Sequence, residues 1–387
     1  MNSLTLAHLS DLHVSRFGGG LTQMRGLARE AQDKGWEPLR QEGGWSIDVC
    51  RAEQITFRRL DRIRLVDDAG VVQRELKLQR DQPRQEVVDE LLRLMEFRVR
   101  VSAATLARGL PGMNQVNWLL EQDPTNINVR FCAVAHQLRA DNPDRVLLTG
   151  DLTDDGEGYE LILEGLAPFV EKGRLVCIPG NHDIYPSPPL VTAPSLRRTE
   201  SDKRRLWATF ATSLGLPPGG CFVHDLGEGV LLACLDSCHP PKIVTTASGL
   251  VQPHELDQLV GQFEAIDGGG DTLRLAMVHH HIVNPPLQAL GSAPIQAGMR
   301  LRNAKEVLAC LRSLGVEVVM NGHRHLGYKY QIVEPPMFLS APSTTRGGRS
   351  GDAPYYWWVE ASRRGVGPIK AQPIQALAPH HPRLLKG

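Results

Sequence analysis

The chain lacks several features that would narrow its class. Its seven cysteines stand scattered at positions 50, 132, 177, 221, 234, 238 and 310, with no CxxC pair and an odd total. That pattern argues against a disulfide framework and points to a reducing compartment. No apolar run approaches the eighteen or so residues of a spanning helix, so no membrane span is expected. The N-terminus has no basic region and no long apolar stretch before the strand-like Leu4 to Leu9. A cleaved signal peptide is therefore not expected, and a cytoplasmic location is. Net charge is missing too: 43 Lys and Arg balance 43 Asp and Glu. Nucleic-acid binding is accordingly not indicated, although a local basic surface is compatible with that balance. There is no internal repeat and no low-complexity tract.

What remains is an ordinary globular composition, 42% hydrophobic and 22% charged over 387 residues. That length suits one large domain or two smaller ones. From about residue 128 onward, apolar strand-like runs alternate with helical periodicity. Arg145 to Thr149, Arg174 to Ile178, Val230 to Leu235, Leu273 to Val278 and Val316 to Met320 are expected strands. Asn128 to Ala140, Tyr159 to Val170, His254 to Glu264 and Asn303 to Leu314 are expected helices. The alternation predicts an α/β core. The Arg-rich, acid-rich stretch 35–115 differs, with a hairpin signal at Asp67-Asp68-Ala69-Gly70 and a helical stripe from Gln85 to Phe97. It is taken as an insertion or cap, with 1–34 and 116–368 as the core and 369–387 as a loose tail.

Clusters of Asp, Asn and His follow nearly every apolar strand, and open α/β sheets assemble sites from those loops. Asp11 and His13 stand two apart after the first strand, where an extended backbone would point both the same way. Asp151 follows Gly150, a residue that lets backbone pass close to a crowded centre. Gly180-Asn181-His182-Asp183 follows the third run, His279-His280-His281 the fifth, and Gly322-His323-Arg324-His325 the sixth. Carboxylates, one amide oxygen and several imidazoles suit borderline first-row metals. Two such ions about 3.5–4 Å apart lower the pKa of a bridging water and clamp an in-line displacement at phosphorus.

The ordered set Asp-x-His, Gly-Asp, Gly-Asn-His-Asp, His-His and Gly-His-x-His resembles the calcineurin-like metallophosphoesterase superfamily, over residues 3–14 and roughly 128–360. Leu147 to Thr153 and Asn321 to His325 look most similar to the bacterial cyclic-nucleotide phosphodiesterase-like (class III) branch. The resemblance implies a four-layer α/β/β/α sandwich. It also implies Asp11, His13, Asp151 and His325 on one metal (Mn, Fe or Zn) and Asp151, Asn181, His279 and His323 on a second, Asp151 bridging. His182 would touch the phosphate, oriented by Asp183. Two departures stand out. The usual His-His-Pro is His279-His280-His281-Ile282, which leaves His280 as an alternative ligand to His279. The spacing from His13 to Asp151 is also unusually long, and the extra segment is expected either to cap the cleft or to be peripheral. The expected activity is metal-dependent hydrolysis of a small phosphoester, a phosphodiester before a monoester. A non-catalytic scaffold and a nuclease are the alternatives.

Overall fold

The structure is a computed structural model that describes residues 3–19, 31, 35–50, 62–78, 83–188, 192–240, 246–267, 271–283, 299–332, 334–348 and 353–378. Its strands begin with β1 (Leu4–Leu9), β2 (Trp36–Glu42), β3 (Trp45–Cys50), β4 (Arg62–Val66) and β5 (Val72–Lys77). There follow β6 (Arg145–Leu148), β7 (Leu175–Cys177), β8 (Phe222–Gly227), β9 (Val230–Leu235) and β10 (Leu273–Val278). The last are β11 (Val318–Asn321), β12 (Tyr328–Gln331), β13 (Met337–Ser340), β14 (Tyr355–Ser362) and β15 (Gly365–Pro373).

One sheet has the order β15-β14-β1-β6-β7 and a second β12-β13-β11-β10-β9-β8. Within them β1, β6 and β7 run parallel, as do β9, β10, β11 and β13. Parallel strands buried on both faces read as unbroken apolar runs, which is why these strands were legible. Alternation then sorts their side chains between two interiors. Val230, Leu232, Cys234, Leu275, Met277, Val318 and Met320 pack with Leu6, Leu148 and Val176 of the other sheet. Their neighbours Leu231, Ala233, Leu235, Ala276, Val278 and Val319 pack instead with Leu256, Leu259, Phe263, Val307 and Leu311. Those last five lie on helices Pro253–Asp267 and Ala304–Ser313. Helices Ile127–Asp141 and Tyr159–Gly165 contribute Phe131, Val134, Leu161 and Ile162 to the first cluster. The result is the expected α/β/β/α sandwich. Because each parallel strand ends at the same edge of its sheet, the loops after β1, β6, β7, β10, β11 and β13 converge there.

The third sheet, β2-β3-β4-β5, is antiparallel throughout. Its β4–β5 hairpin turns at Asp67–Gly70, where Asp67 accepts the Ala69 and Val71 amides. Trp45, Ile47, Ile63 and Leu65 pack on Val87, Val88, Leu91 and Met95 of helix Arg84–Arg100 as a cluster of their own. Ala103, Leu106, Val116, Leu119 and Leu120 belong to the main core instead. Packing therefore changes near residue 100, whereas sequence pattern suggested 115, because amphipathic helices on either side of the change look alike.

Two expectations are corrected. Residues 369–378 are no loose tail: β15 pairs along β14, and Ile374 and Leu377 are fully buried; residues 379–387 lie outside the described residues. The helix expected over 159–170 breaks at Leu166 into Tyr159–Gly165 and Ala167–Val170, since Pro168 has no N–H to continue it. No helix of the described residues is long and apolar enough to cross a membrane.

The separate clusters predict separable stability. Leu147→Ala, at a fully buried site of β6, is expected to lower the unfolding free energy by about 2–5 kcal/mol in a denaturant titration. Ile63→Ala is expected to speed amide exchange in β3–β5 while leaving exchange in β6 and β10 unchanged.

Candidate metal centre

The loops at the common edge bring the sequence-predicted residues into two groups. Ligand atoms of Asp11, His13 and His325 lie within 4.8 Å of one another, and so do those of Asp151, His279 and His323. In the first group His13 Nε2 and His325 Nε2 are 2.9 Å apart, and Asp11 Oδ1 is 3.2 Å from His325 Nε2. In the second, His279 Nε2 lies 3.1 Å from Asn181 Oδ1 and 3.4 Å from Asp151 Oδ1.

The backbone that achieves this is not extended. Asp11, His13, Asp151, His323 and His325 all have positive φ, between 52° and 71°. Two alternating left-handed residues, rather than the pleat of a strand, aim the side chains of Asp11/His13 and of His323/His325. The left-handed region is costly for residues with a Cβ and recurs at functional sites. Ser343 Oγ donates to the Asp11 carbonyl at 2.7 Å and Thr345 Oγ1 to the Leu12 carbonyl at 2.9 Å, fixing the loop. Two glycines admit the close approach: a Cβ at Gly150 would lie 2.7 Å from His279 Nδ1, and one at Gly322 2.6 Å from Asp11 Oδ2.

Hydrogen bonds assign the imidazole tautomers. His279 Nδ1 donates to the Thr149 carbonyl at 2.7 Å, which turns Nε2 toward Asp151 and Asn181. His280 has both nitrogens engaged, by Ser237 Oγ and the Ala247 carbonyl, and His281 by Tyr328 Oη and the Gly322 carbonyl. Of the three histidines, His279 alone presents a nitrogen to the cluster. His13 Nδ1 donates to Asp154 Oδ1 at 2.6 Å, so its Nε2 lone pair also faces inward.

Protonation follows the same geometry. Burial lowers His13 to about 4 against the pull of Asp154, and burial with His280 and His279 close by lowers His323 well below its usual range. Burial opposes ionisation of Asp151, yet His279 and His182 beside it hold its carboxyl well below the usual range. Neutral imidazoles and ionised carboxylates are the forms that ligate metals. Asp11 Oδ1 and both ring nitrogens of His323 are buried without a hydrogen bond among the described residues. Carboxylate, amide and imidazole groups gathered this closely, with some of them unpaired, suit bound cations.

His182 stands beside the clusters, its side chain 22% exposed, with Nδ1 3.0 Å from Asp154 Oδ1. Burial would lower its pKa, but Asp151 and Asp154 raise it above the ordinary value. Asp183 does not orient it. The Asp183 carboxylate accepts the amides of Leu152, Thr153 and Gly180 and the hydroxyl of Tyr159, so it braces the Asp151 loop against the His182 loop. The orienting carboxylate is Asp154, fully desolvated and shared by His13 and His182, with Arg346 3.2 Å from its second oxygen. Sequence reasoning missed both Asp154 and Arg346. Asp154 lies three residues after Asp151 in the same loop, and Arg346 follows β13, a parallel strand ending at the same edge.

The His13 loop continues into the third sheet. Arg16 reaches Asp68 at 2.5 Å and Glu157 at 3.6 Å, joining the hairpin turn to the loop after Asp154. A cleft of about 870 Å³ opens there, lined by Arg16, Phe17, Trp45, Met95, Arg100 and Glu157 among others.

A family model described as calcineurin-like phosphoesterase matches residues 128–327. That span holds Asp151, Asn181, His182, His279, His323 and His325; Asp11 and His13 lie outside it and reach the site through the pairing of β1 with β6. Among solved structures, a dimetal phosphatase from Danio rerio is similar at 10% identity and TM-score 0.41, covering 96% of this chain and 99% of that one. A purple acid phosphatase from yellow lupin (Lupinus luteus) is similar at 12% identity and TM-score 0.40, covering 64% and 49%. No curated protein matches the chain.

In the metal-free protein His279 is raised to about 9; burial opposes the shift, and Asp151 outweighs it. A folded pKa above the ordinary 6.5 stabilises the protonated native state. That contribution is fully present below about pH 6.5 and lost as pH rises through about 9. The stability of chelator-treated protein should therefore fall over that interval, and His279→Gln should flatten the fall.

Proposed function

Because the chain belongs to the calcineurin-like phosphoesterase family, we propose that it hydrolyses a phosphodiester with one metal ion at each side-chain cluster. Asp11, His13 and His325 would hold the first ion, and Asp151, Asn181, His279 and His323 the second, with the second carboxylate oxygen of Asp151 able to serve the first. The observation that carries this reading is the gathering of buried carboxylates and imidazoles into two groups at one sheet edge, with Asp11 Oδ1 and the His323 ring unpaired among the described residues. Metals bound there supply charge neutralisation at phosphorus and activation of a water, the requirements of a reaction that is very slow uncatalysed.

The protein's own part is positioning and proton transfer. His182, with Nδ1 on Asp154, keeps Nε2 for the substrate and donates a proton to the departing alkoxide. Asp154 fixes the tautomers of His182 and His13 together, so the acid and one ligand imidazole share one reference point. The Leu147–Thr153 and Asn321–His325 stretches support a cyclic-nucleotide phosphodiesterase-like branch and hence a diester before a monoester. Residues 35–100 act as a cap. Its support is the Arg16 clasp and the cleft, which starts three residues beyond His13 and three beyond Asp154. Three residues span at most about 11 Å, so the cleft suits the organic part of an ester whose phosphorus sits at the metals.

A metal-supplemented screen of cyclic nucleotides, generic diesters, monoesters and single-stranded nucleic acid tests the reading; no metal-dependent turnover of any of them would favour a non-catalytic scaffold. Asp151→Asn is expected to lose bound metal, seen by elemental analysis, together with activity. His182→Ala is expected to keep its metals while kcat falls by about 10²–10⁴-fold. Stripping of metal from that variant would overturn the division of roles. Phe17→Ala should raise KM for esters with a bulky leaving group and leave small generic esters unaffected.

A further inference from the structure

We propose that Arg346 binds the phosphoryl oxygens of the substrate, as a cationic arm of the site fixed from behind by Asp154. The inference rests on the phosphoester reading above and deepens it.

The placement comes from topology. Residues 341–347 follow β13, which runs parallel to β11 and ends at the same edge as the strands that carry the clusters. The segment is anchored before it reaches Arg346. Thr344 N–H donates to the Ser10 carbonyl at 3.0 Å. Ser343 and Thr345 hold the Asp11 and Leu12 carbonyls, and the buried Arg130 donates to the Thr345 carbonyl. The Arg346 backbone therefore shares one rigid frame with Asp11 and His13.

The side chain is built differently from the other cations nearby. Lys203 is buried, its ammonium donating to the carbonyls of His182 and Asp154. Arg16 is ringed by Asp67, Asp68 and Glu157. Arg346 is 28% exposed, and its guanidinium has one partner among the described residues, Asp154 Oδ2 at 3.2 Å. A guanidinium carries five N–H donors in a planar fork. One donor serves Asp154 and the others remain for an acceptor at the solvent side, beside His182. Asp154 already accepts from two imidazoles on Oδ1, and one corner of the guanidinium serves Oδ2, so holding Asp154 ionised uses only part of an arginine with an exposed head. Planar, charged and fixed at one corner, the group matches two oxygens of a phosphoryl group.

The test measures binding of inorganic phosphate by calorimetry to the manganese-loaded full chain, alongside metal content and steady-state kinetics. Arg346→Gln is expected to keep its metals and weaken phosphate binding about tenfold or more. It should raise KM more than it lowers kcat. Arg346→Lys, which keeps the charge but not the fork, should fall between. Unchanged phosphate affinity in Arg346→Gln at full metal content, with only kcat reduced, would overturn the proposal and leave Arg346 as a support for Asp154. If wild type hydrolyses none of the esters screened while phosphate binding depends on Arg346, the catalytic reading fails and this inference stands. A wild type that turns over esters while phosphate affinity ignores Arg346 gives the reverse.

Discussion

The structure is organised around crowded acceptor atoms. Nε2 of His13 and of His325 point at each other across 2.9 Å, with a carboxylate oxygen of Asp11 beside them. His279 Nε2 points at two oxygens. Asp11 Oδ1 and both ring nitrogens of His323 are buried without a hydrogen bond among the described residues, and each buried polar atom left unpaired costs about 1–3 kcal/mol. Left-handed backbone at five of these residues adds about 1–3 kcal/mol each. Total stability of a domain is only about 5–15 kcal/mol. Such an arrangement persists only where the rest of the molecule over-determines it. The two-sheet interior does this by fixing strand ends, and the hydroxyls of Ser343 and Thr345 do it by clamping the Asp11 and Leu12 carbonyls.

Asp154 links this cluster to the groups beside it. Burial disfavours its charge, yet His13, His182 and Arg346 together hold its carboxyl well below the ordinary range. A permanently ionised carboxylate with hydrogen bonds on both sides is a rigid reference. It turns His13 Nε2 toward the first cluster and leaves His182 Nε2 for the solvent side. Asp183, expected in that role, does a different job: it gathers four donors from two loops and the first residue of helix Tyr159–Gly165, and ties the Asp151 loop to the Asn181 loop. Two aspartates after adjacent strands thus divide the work, one orienting imidazoles and the other bracing peptide.

The parts legible in sequence were those with a strong local signal. Apolar strands buried on both faces stood out, and so did the polar residues that follow them. Left-handed turns leave no such mark. The Asp11/His13 pairing was anticipated for the wrong reason, from an extended backbone that the loop does not have. Asp154 carried no pattern of its own, because its role depends on where His13 and His182, 141 residues and 28 residues away in sequence, are brought by folding. Position after the strand pointed to His279 among three consecutive histidines, but pattern did not show the contact behind the choice. It turns on which ring finds the Thr149 carbonyl, a contact between two sheets. β15 was missed because its residues are mostly exposed and contain Gly365, Gly367 and Pro368, so neither alternation nor propensity marks it.

The centre and the inserted segment are held by different means. The cluster residues stand on loops from two sheets, with Asp11 accepting the His323 amide and His279 reaching the Thr149 carbonyl, so altering one ligand loop disturbs partners on the other sheet. The segment after His13 is under a different constraint. Its four-stranded sheet and helix Arg84–Arg100 pack as a separate cluster. Its charged attachment runs through Arg16 to Asp68 and Glu157. Surface-level ion pairs such as these contribute little individually, typically under about 1 kcal/mol, so the insertion can shift or change without unfolding the sandwich. A segment attached that way, beside a centre built the other way, is the arrangement that the proposed cap requires. Loops carry specificity on rigid scaffolds for the same reason, and here the loop has grown a core of its own.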